Sequence, residues 1–442
     1  MFTLCLKDLP TFSEMKRFIV AYSGGLDSHV LLHAIAALRA ELGGRELLAV
    51  HVNHGLSTHA QQWAAHCAKQ CEQLGITLKQ FDFDARAEVG ESPEAAARDG
   101  RYAILASIIE EGDCLLTAHH QDDQAETLLI QLLRGAGPRG LAAMPGFVPF
   151  AGGWHARPLL GYSRDELQDY AQQAQLSWID DESNSDTRFD RNFLRHDILP
   201  RLKARFPGVN STLSRSANLC AEAAELLVSA AQADLSQVQL DVQSVSVSGL
   251  QTLGEVRARN LLHQWCRDRH LPTPSAAQLQ CVWDEVVGAG PESEPVVHWA
   301  GGEARRYRDA LFLGSPLSAH DAALRLPWDL QHGLWIPGLG ELRGERALGQ
   351  GIAAAALEGG TIEVRFRQGG EQLRPAGRQG HHSLKKLFQE AGIPPWRRDR
   401  IPLLYAKDQL LAVAGLWVAH EVAAQADEPG VVLVWSSQVE PR

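Results

Sequence analysis

The sequence predicts an α/β protein: an N-terminal Rossmann-like parallel sheet, then a helical middle, then a small α+β C-terminal part. Three observations lead there. Strand and helix signals alternate through residues 1–213. In FIVAYSGGLDSHVLLHAIAAL, Phe18 to Leu38, an apolar strand runs straight into two glycines and two serines, and an apolar-periodic helix follows. Beyond residue 214 the strand signals give way to helices, and the tail returns to short strands with Gly/Pro turns.

Each element follows from local chemistry. Phe18–Tyr22, Leu47–Asn53, Ile76–Phe83 and Cys114–Ala118 are read as strands. The spacing predicts helices over Ser28–Leu42, stopped by Gly43-Gly44, and over Ala60–Leu74, closed by Gly75. Ser92-Pro93-Glu94 opens a further helix, with Ser as N-cap and Pro in the first turn, that ends near Gly112. A helix from Asp122 to Arg134 is capped by Asp122 or Asp123. Ser163-Arg164-Asp165-Glu166 is a capping box. Such repeats build a parallel sheet covered on both faces. SANLCAEAAELLVSAAQADL and EVRARNLLHQWCRDRH read as helices, and Leu313–Asp321 as a linker. Three domains are expected, over 1–213, 214–318 and 325–442.

Composition narrows the class. Hydrophobic residues make up 45% of the 442, normal for globular protein, and no apolar run approaches the ~20 residues of a membrane span. The first residues carry acids and lack a signal-peptide layout, so the expectation is a cytoplasmic protein with no membrane partner. Seven cysteines contain no Cys-x-x-Cys pair. Cys67, Cys71 and neighbouring His66 read as one helix face, with a metal site as the alternative. A net charge of −11 argues against generic nucleic-acid binding, yet residues 361–407 hold ten Lys/Arg, including Lys385 and Lys386, against four acids. That local excess of six suggests a polyanion contact; a solvated face is the alternative.

Four clusters carry candidate chemistry. Ser23-Gly24-Gly25-Leu26-Asp27-Ser28 lies where a helix N-terminus meets the end of a strand, a natural anion site. It lacks the lysine of a P-loop and the glycine spacing of a dinucleotide fingerprint. Asp27 stands where an acid binds Mg²⁺ bridging phosphates. His119, His120, Asp122, Asp123 and Glu126 form the second cluster; Asp123 and Glu126 share a helix face and can grip an ammonium or a metal. Arg98 and Arg101, three apart, suit phosphate or developing negative charge, or else surface salt bridges. Arg188, Arg191 and Arg195 recur at helical spacing beside Asn192, as a face tracking a nucleic-acid backbone or as a solvated helix.

The loop SGGLDS after a strand resembles the pyrophosphate-binding loop of the PP-loop ATP pyrophosphatase superfamily. With VNHGL (Val52–Leu56), EAAARDGRY, AHHQDDQAET, LLRGAGPRGLAAM, RPLL, DESNSDTRFDRNFLRHDILP and the tail Gly369–Leu404, the chain is similar over nearly its whole length to the tRNA(Ile)-lysidine synthetase family. That resemblance implies ligation of L-lysine to the wobble cytidine of a CAU-anticodon isoleucine tRNA, through a cytosine adenylated by ATP with Mg²⁺. It implies pyrophosphate on Ser23–Ser28, Mg²⁺ at Asp27, Arg98 and Arg101 near the adenylate, and lysine on Asp123 and Glu126, with His120 in the substrate site. Arg191, Asn192, Arg195, Lys385 and Lys386 would contact tRNA, the middle holding the anticodon stem and the tail the acceptor stem. A homodimer is left open. A tRNA thiolase of the same superfamily is the competing enzyme, and a non-catalytic RNA-binding protein the competing class.

Overall fold

The computed structural model describes residues 4, 6–7, 9–53, 59–83, 93–179, 186–290, 292–358 and 361–437. The expected Ser92 cap, residues 54–56 of VNHGL and the acidic stretch 180–185 lie outside them. The chain forms two compact units, Met1–Leu227 and Val228–Arg442.

The first unit is built on a six-stranded sheet. Its elements are β1 (Arg17–Ala21), α1 (Leu26–Ala37), β2 (Glu46–Asn53), α2 (Ala60–Leu74), β3 (Thr77–Asp82), α3 (Pro93–Ile108), β4 (Asp113–Leu116), α4 (Gln121–Leu133), α5 (Pro138–Leu141), β5 (Phe147–Phe150), β6 (Gly153–Ala156) and α6 (Arg164–Gln173). The strand order is β3-β2-β1-β4-β6-β5, parallel except for the β5 edge. Successive β1 residues serve opposite cores. Phe18 and Val20 pack with Ala49, Cys114 and Leu116 on one face, and Ile19 with Leu48 and Leu115 on the other. Burial on both faces is why these strands read as continuous apolar runs. Chain order reverses between β1 and β4, the kind of switch point where open α/β sheets bind ligands.

Several local details differ from the sequence expectation. Helix α1 begins at Leu26 because that side chain is already docked in the core, and its last turn tightens into a 3-10 turn, Arg39–Leu42. The β5–β6 hairpin was not anticipated; a Cβ at Gly153 would sit 2.4 Å from the Asp113 carbonyl, so only glycine admits this close strand approach. The basic stretch after residue 186 is not one regular helix. It runs as α7 (Asp190–Phe193), a π turn (Leu194–Ile198) and α8 (Leu199–Arg205). Cys67 and Cys71 are buried on α2 in the core, their thiols pushed up by burial to about 12 and about 11.

The 30-residue α9 (Val209–Val238) carries the chain into the second unit. Helices α10 (Val247–Leu253), α11 (Glu255–Asp268) and α12 (Ala276–Cys281) match the helical expectation for the middle. They share a core with an antiparallel sheet of β7 (Gln239–Asp241), β8 (Ser244–Ser246), β9 (Val296–Trp299), β10 (Gly302–Tyr307) and β11 (Ala310–Gly314). Leu313 and Gly314, expected in a linker, end β11. Among the described residues the tail holds three antiparallel sheets, one centred on Ile362–Arg365, Leu403–Ala406 and Gln409–Val413, one on the long pair Gly340–Leu348 and Pro429–Ser437, and a two-stranded pair of Gln372–Leu373 with His382–Ser383. One tail helix, α13 (Leu384–Glu390), packs Leu384, Leu387 and Phe388 inward and leaves Lys385 and Lys386 exposed. Among the described residues no helix is long and apolar enough to cross a membrane.

Candidate active site at the carboxyl edge of the parallel sheet

The loop after β1 is shaped by its smallest residues. Gly24 has φ +88°, and a Cβ there would meet Cys67 Sγ at 2.8 Å and Ile179 Cδ1 at 3.0 Å. Its carbonyl accepts the Ile179 N–H at 3.0 Å, which pins the loop. Gly25 caps α1 in extended conformation. Ser23 and Ser28 clasp the turn: the Ser23 N–H donates to Ser28 Oγ at 3.2 Å, the two hydroxyls are 3.0 Å apart, and Ser28 Oγ donates to the Gly25 carbonyl at 3.0 Å. The first-turn N–H groups of α1, from Leu26 to Ser28, have no intrahelical acceptors and face the loop with the positive end of the helix dipole.

Because β4 lies beside β1, the loop after β4 comes to the same edge. Its cap is His120, not an aspartate. The Asp122 N–H donates to His120 Nδ1 at 3.2 Å, and the His120 N–H donates to Asp123 Oδ2 at 3.1 Å, a capping box with histidine in the hydroxyl's place. That acceptor role at Nδ1 aims Nε2 between Asp123 Oδ2 at 3.3 Å and Asp27 Oδ2 at 3.6 Å. Burial works against a charged ring, but Asp123 and Asp27 outweigh it, and the His120 pKa lies above its ordinary value. Asp27 Oδ1 is buried and has no hydrogen-bond partner. Asp122 turns away, accepting from the Arg164 N–H at 3.1 Å and Asn210 Nδ2 at 2.6 Å.

Asp123 and Glu126 share the α4 face as expected, and both meet Arg191 and Arg195. Glu126, 0% exposed, accepts Arg191 Nε at 2.8 Å, Arg195 Nε at 2.7 Å and Arg195 Nη2 at 2.9 Å. Asp123 Oδ1 accepts from Arg191 Nη2 at 3.1 Å and Arg195 Nη2 at 3.0 Å. Burial works to raise the Asp123 pKa, but His120 and the two guanidiniums hold it well below the usual carboxylate range. Two carboxylates thus face two guanidiniums. The α7 turn followed by a π turn directs both arginines inward, rather than along a solvent face. Exposed Arg188 chelates Asp186 instead, and Asn192 Nδ2 donates to the Asp186 carbonyl at 3.0 Å.

On the far side, Thr117 Oγ1 lies 2.9 Å from His119 Nδ1 and 2.8 Å from His155 Nε2. Burial pushes both imidazoles down, each to about 3, so they are neutral. Arg98 on α3 is exposed, its guanidinium 5.8 Å over the Tyr102 ring. Arg101 is half-buried, and burial lowers its pKa. Gly100 between them lets α3 close onto Phe83, whose ring lies 2.3 Å from where a Cβ would be. Gln124 fixes the segment after α4 through paired bonds of 2.9 Å to the Met144 backbone. Among the described residues no group of three His, Cys, Asp or Glu forms a metal cage. Asp27 meets His120, which also touches Asp123 on the α4 face that carries Glu126; the histidine cap and the arginine pair facing the carboxylates lie outside the expectation from the sequence. The spacing His120-Gln121-Asp122-Asp123 was the available signal for the cap.

Lys385 and Lys386 belong to the second unit. Lys386 Nζ lies 4.0 Å from Glu390, a solvent-exposed pair of little energetic weight. Much of the tail's basic excess is used internally: Arg365 pairs with Glu363 and Asp408, Arg367 with Asp399, Arg378 with Glu390, and buried Arg398 donates to the Ile393 carbonyl and the Tyr307 hydroxyl.

A parallel sheet with a Ser-Gly-Gly loop and an aspartate at its switch point defines a PP-loop, ATP-utilising protein, and the PP-loop domain model matches residues 3–202. Models described as the TilS substrate binding domain and the TilS substrate C-terminal domain match residues 246–312 and 362–435. The chain is 43% identical to tRNA(Ile)-lysidine synthase of Coxiella burnetii over 99% of this chain and 96% of that one. It is 44% identical to the enzyme of that name from Methylococcus capsulatus over 94% and 95%. A tRNA thiolase of known structure from Methanococcus maripaludis, 20% identical, covers 50% of this chain and 76% of its own at a TM-score of 0.41. The chain belongs to the tRNA(Ile)-lysidine synthase family.

Proposed function

We propose that this protein ligates L-lysine to the wobble cytidine of a CAU-anticodon isoleucine tRNA, using ATP. The observation that carries the reading is the meeting of Asp27, His120 and Asp123 beside the SGGLDS loop, in a chain whose relatives of matching length are lysidine synthases. In the first step the cytosine 2-carbonyl oxygen bonds to the α-phosphorus of ATP, and the bond to the β-phosphate oxygen breaks. Pyrophosphate leaves toward Ser23, Gly24, Gly25, Leu26 and Ser28, whose N–H and hydroxyl groups match an anion. In the second step the lysine ε-amine, having lost its ammonium proton, bonds to cytosine C2 and the C2–O bond to AMP breaks.

Asp27 fits Mg²⁺, since its buried Oδ1 has no hydrogen-bond partner and needs a cation or donor. Bound there, Mg²⁺ would neutralise charge on the departing pyrophosphate. Arg98 and Arg101 are assigned to the charge that develops on the adenylate phosphate. Asp123 and Glu126 supply the negative charge for the lysine amines. Arg191 and Arg195 already hold those oxygens, so lysine enters by exchanging with guanidinium contacts rather than by filling an open pair. The buried thiols of Cys67, Cys71 and Cys114, all pushed up by burial, are poorly suited to carry sulfur as a thiolase would.

The test is pyrophosphate release from ATP. Release should depend on the isoleucine tRNA transcript, fall when its wobble cytidine is replaced by uridine, and be lost in Asp27→Asn with unchanged circular dichroism. Release at the same rate without tRNA, or from the uridine transcript, would refute the assignment.

A further inference from the structure

The second unit encloses a cavity of about 270 Å³, at the small end of ligand-binding pockets, which begin near about 300 Å³. Phe312 of β11 and Trp396 meet there edge to face, ring centroids 5.6 Å apart at 82°. Arg269, Arg305, Arg397 and Arg400 reach the same space, and Glu303 is the one acid among the described lining residues. Glu303 is held by Arg305, at 2.6 and 3.0 Å. Arg400 donates to the Ser318 carbonyl, and Arg269 makes a long 3.5 Å contact to the Gln243 carbonyl. Three of these arginines lie over rings, each 5.4 Å from the centroid: Arg305 over Trp396, Arg397 over Phe312 and Arg269 over Trp265. Trp435 lines the same wall.

We infer that this cavity binds one nucleoside monophosphate unit, its base against Trp396 and Phe312 and its phosphate on Arg269 and Arg400. Positive charge exceeds negative by three among the lining residues, so the ligand is an anion. Trp396 gives an aromatic face that a bare phosphate or an aliphatic acid leaves unused, whereas any base can stack on such a face, with Phe312 meeting it edge-on. Burial lowers the pKa of Arg269 and Arg400, and repulsion from Arg397 and Arg305 respectively adds to it; a bound phosphate relieves both. Resting on the proposed function, the unit is either an unpaired nucleotide of the tRNA or free AMP, the product.

The test uses the full chain and two probes. Ultraviolet cross-linking of the isoleucine tRNA transcript, and photolabelling with 8-azido-AMP, are each mapped by peptide mass spectrometry. Affinities for tRNA and AMP are measured for the parent, Trp396→Leu and Arg400→Gln. Arg400→Gln loses only a carbonyl bond and keeps its melting temperature, which guards against misfolding at Trp396. Cross-linking of tRNA at Trp396 or Phe312, with roughly tenfold weaker tRNA binding in both variants, supports the RNA arm. Labelling there by azido-AMP, with AMP affinity lost instead, supports the product arm. If neither probe labels these residues and both variants bind as the parent does, the inference is overturned. Lysidine formation with no label sinks the cavity alone; labelling with no lysidine formation sinks the proposed function alone.

Discussion

Glu126→Gln tests the electrostatics of the site most sharply. The glutamate is fully buried and accepts three N–H bonds from two guanidiniums. Glutamine keeps one carbonyl acceptor and turns its amide hydrogens toward arginine donors. The cluster goes from two charges of each sign to a net buried positive charge. Side-chain exposure of Arg191 and Arg195 is 21% and 23%, so solvent screens little of this. Breaking a buried pair by removing one partner costs about 3–5 kcal/mol. A domain of this size loses about 2–4 °C per kcal/mol, so the first unit should melt roughly 6–20 °C lower. Differential scanning calorimetry of the full chain reads this directly. Arg195→Gln added to Glu126→Gln should recover part of the loss, since the two sites share hydrogen bonds and cannot be additive. A melting point within about 2 °C of the parent for Glu126→Gln alone would refute the buried network.

Other outcomes follow from single features. Gly24→Ala combines a left-handed φ with a contact to Cys67 Sγ at 2.8 Å, so it should cut ATP-dependent pyrophosphate release at least tenfold, and unaltered release would contradict the loop geometry. Burial depresses His29 to about 4 and His119 and His155 to about 3, so these rings are neutral when folded and take up protons on unfolding below about 6.5. Their stabilisation is full above that pH and lost as pH falls toward 4; His120, raised, opposes with a contribution lost as pH rises. Urea midpoints at pH 7.5 and 5 should therefore fall with acid. Asp123→Asn should abolish lysine transfer measured below its own melting point, since it too removes a carboxylate facing Arg191 and Arg195, and near-normal transfer would remove Asp123 from the lysine site. Lys385→Glu with Lys386→Glu should weaken tRNA binding and flatten its salt dependence, and unchanged filter-binding affinity at two salt concentrations would count against the tail contact.

What was legible in the sequence was mostly local. SGGLDS could be placed between strand and helix because both flanks and the turn lie within a few residues. Three of the parallel strands were legible because burial on both faces writes continuous apolar runs, whereas the edge strand Thr77–Asp82 is half-exposed and alternates. The meeting of Asp27 with His120 was not, since it depends on β4 pairing beside β1 across some ninety residues of chain. The spacing of Arg191 and Arg195 showed a shared helix face but not its direction; the π turn that aims them at Glu126 has no strong local signature. Part of the middle sheet escaped notice because β7 and β8 are three residues each, and the β5–β6 hairpin because its close approach rests on Gly153. The tail's basic excess overstated its free charge, because an ion pair such as Arg367 with Asp399 joins residues 32 apart in sequence.

The central claim is best tested by incorporation of radiolabelled L-lysine into an unmodified CAU-anticodon isoleucine tRNA transcript, with purified protein, ATP and Mg²⁺. A methionine tRNA transcript and a reaction without ATP run beside it. The account predicts ATP-dependent label in the isoleucine transcript only. Pyrophosphate released without any lysine incorporated would keep the adenylating loop and contradict the assignment of Asp123 and Glu126 to the amine.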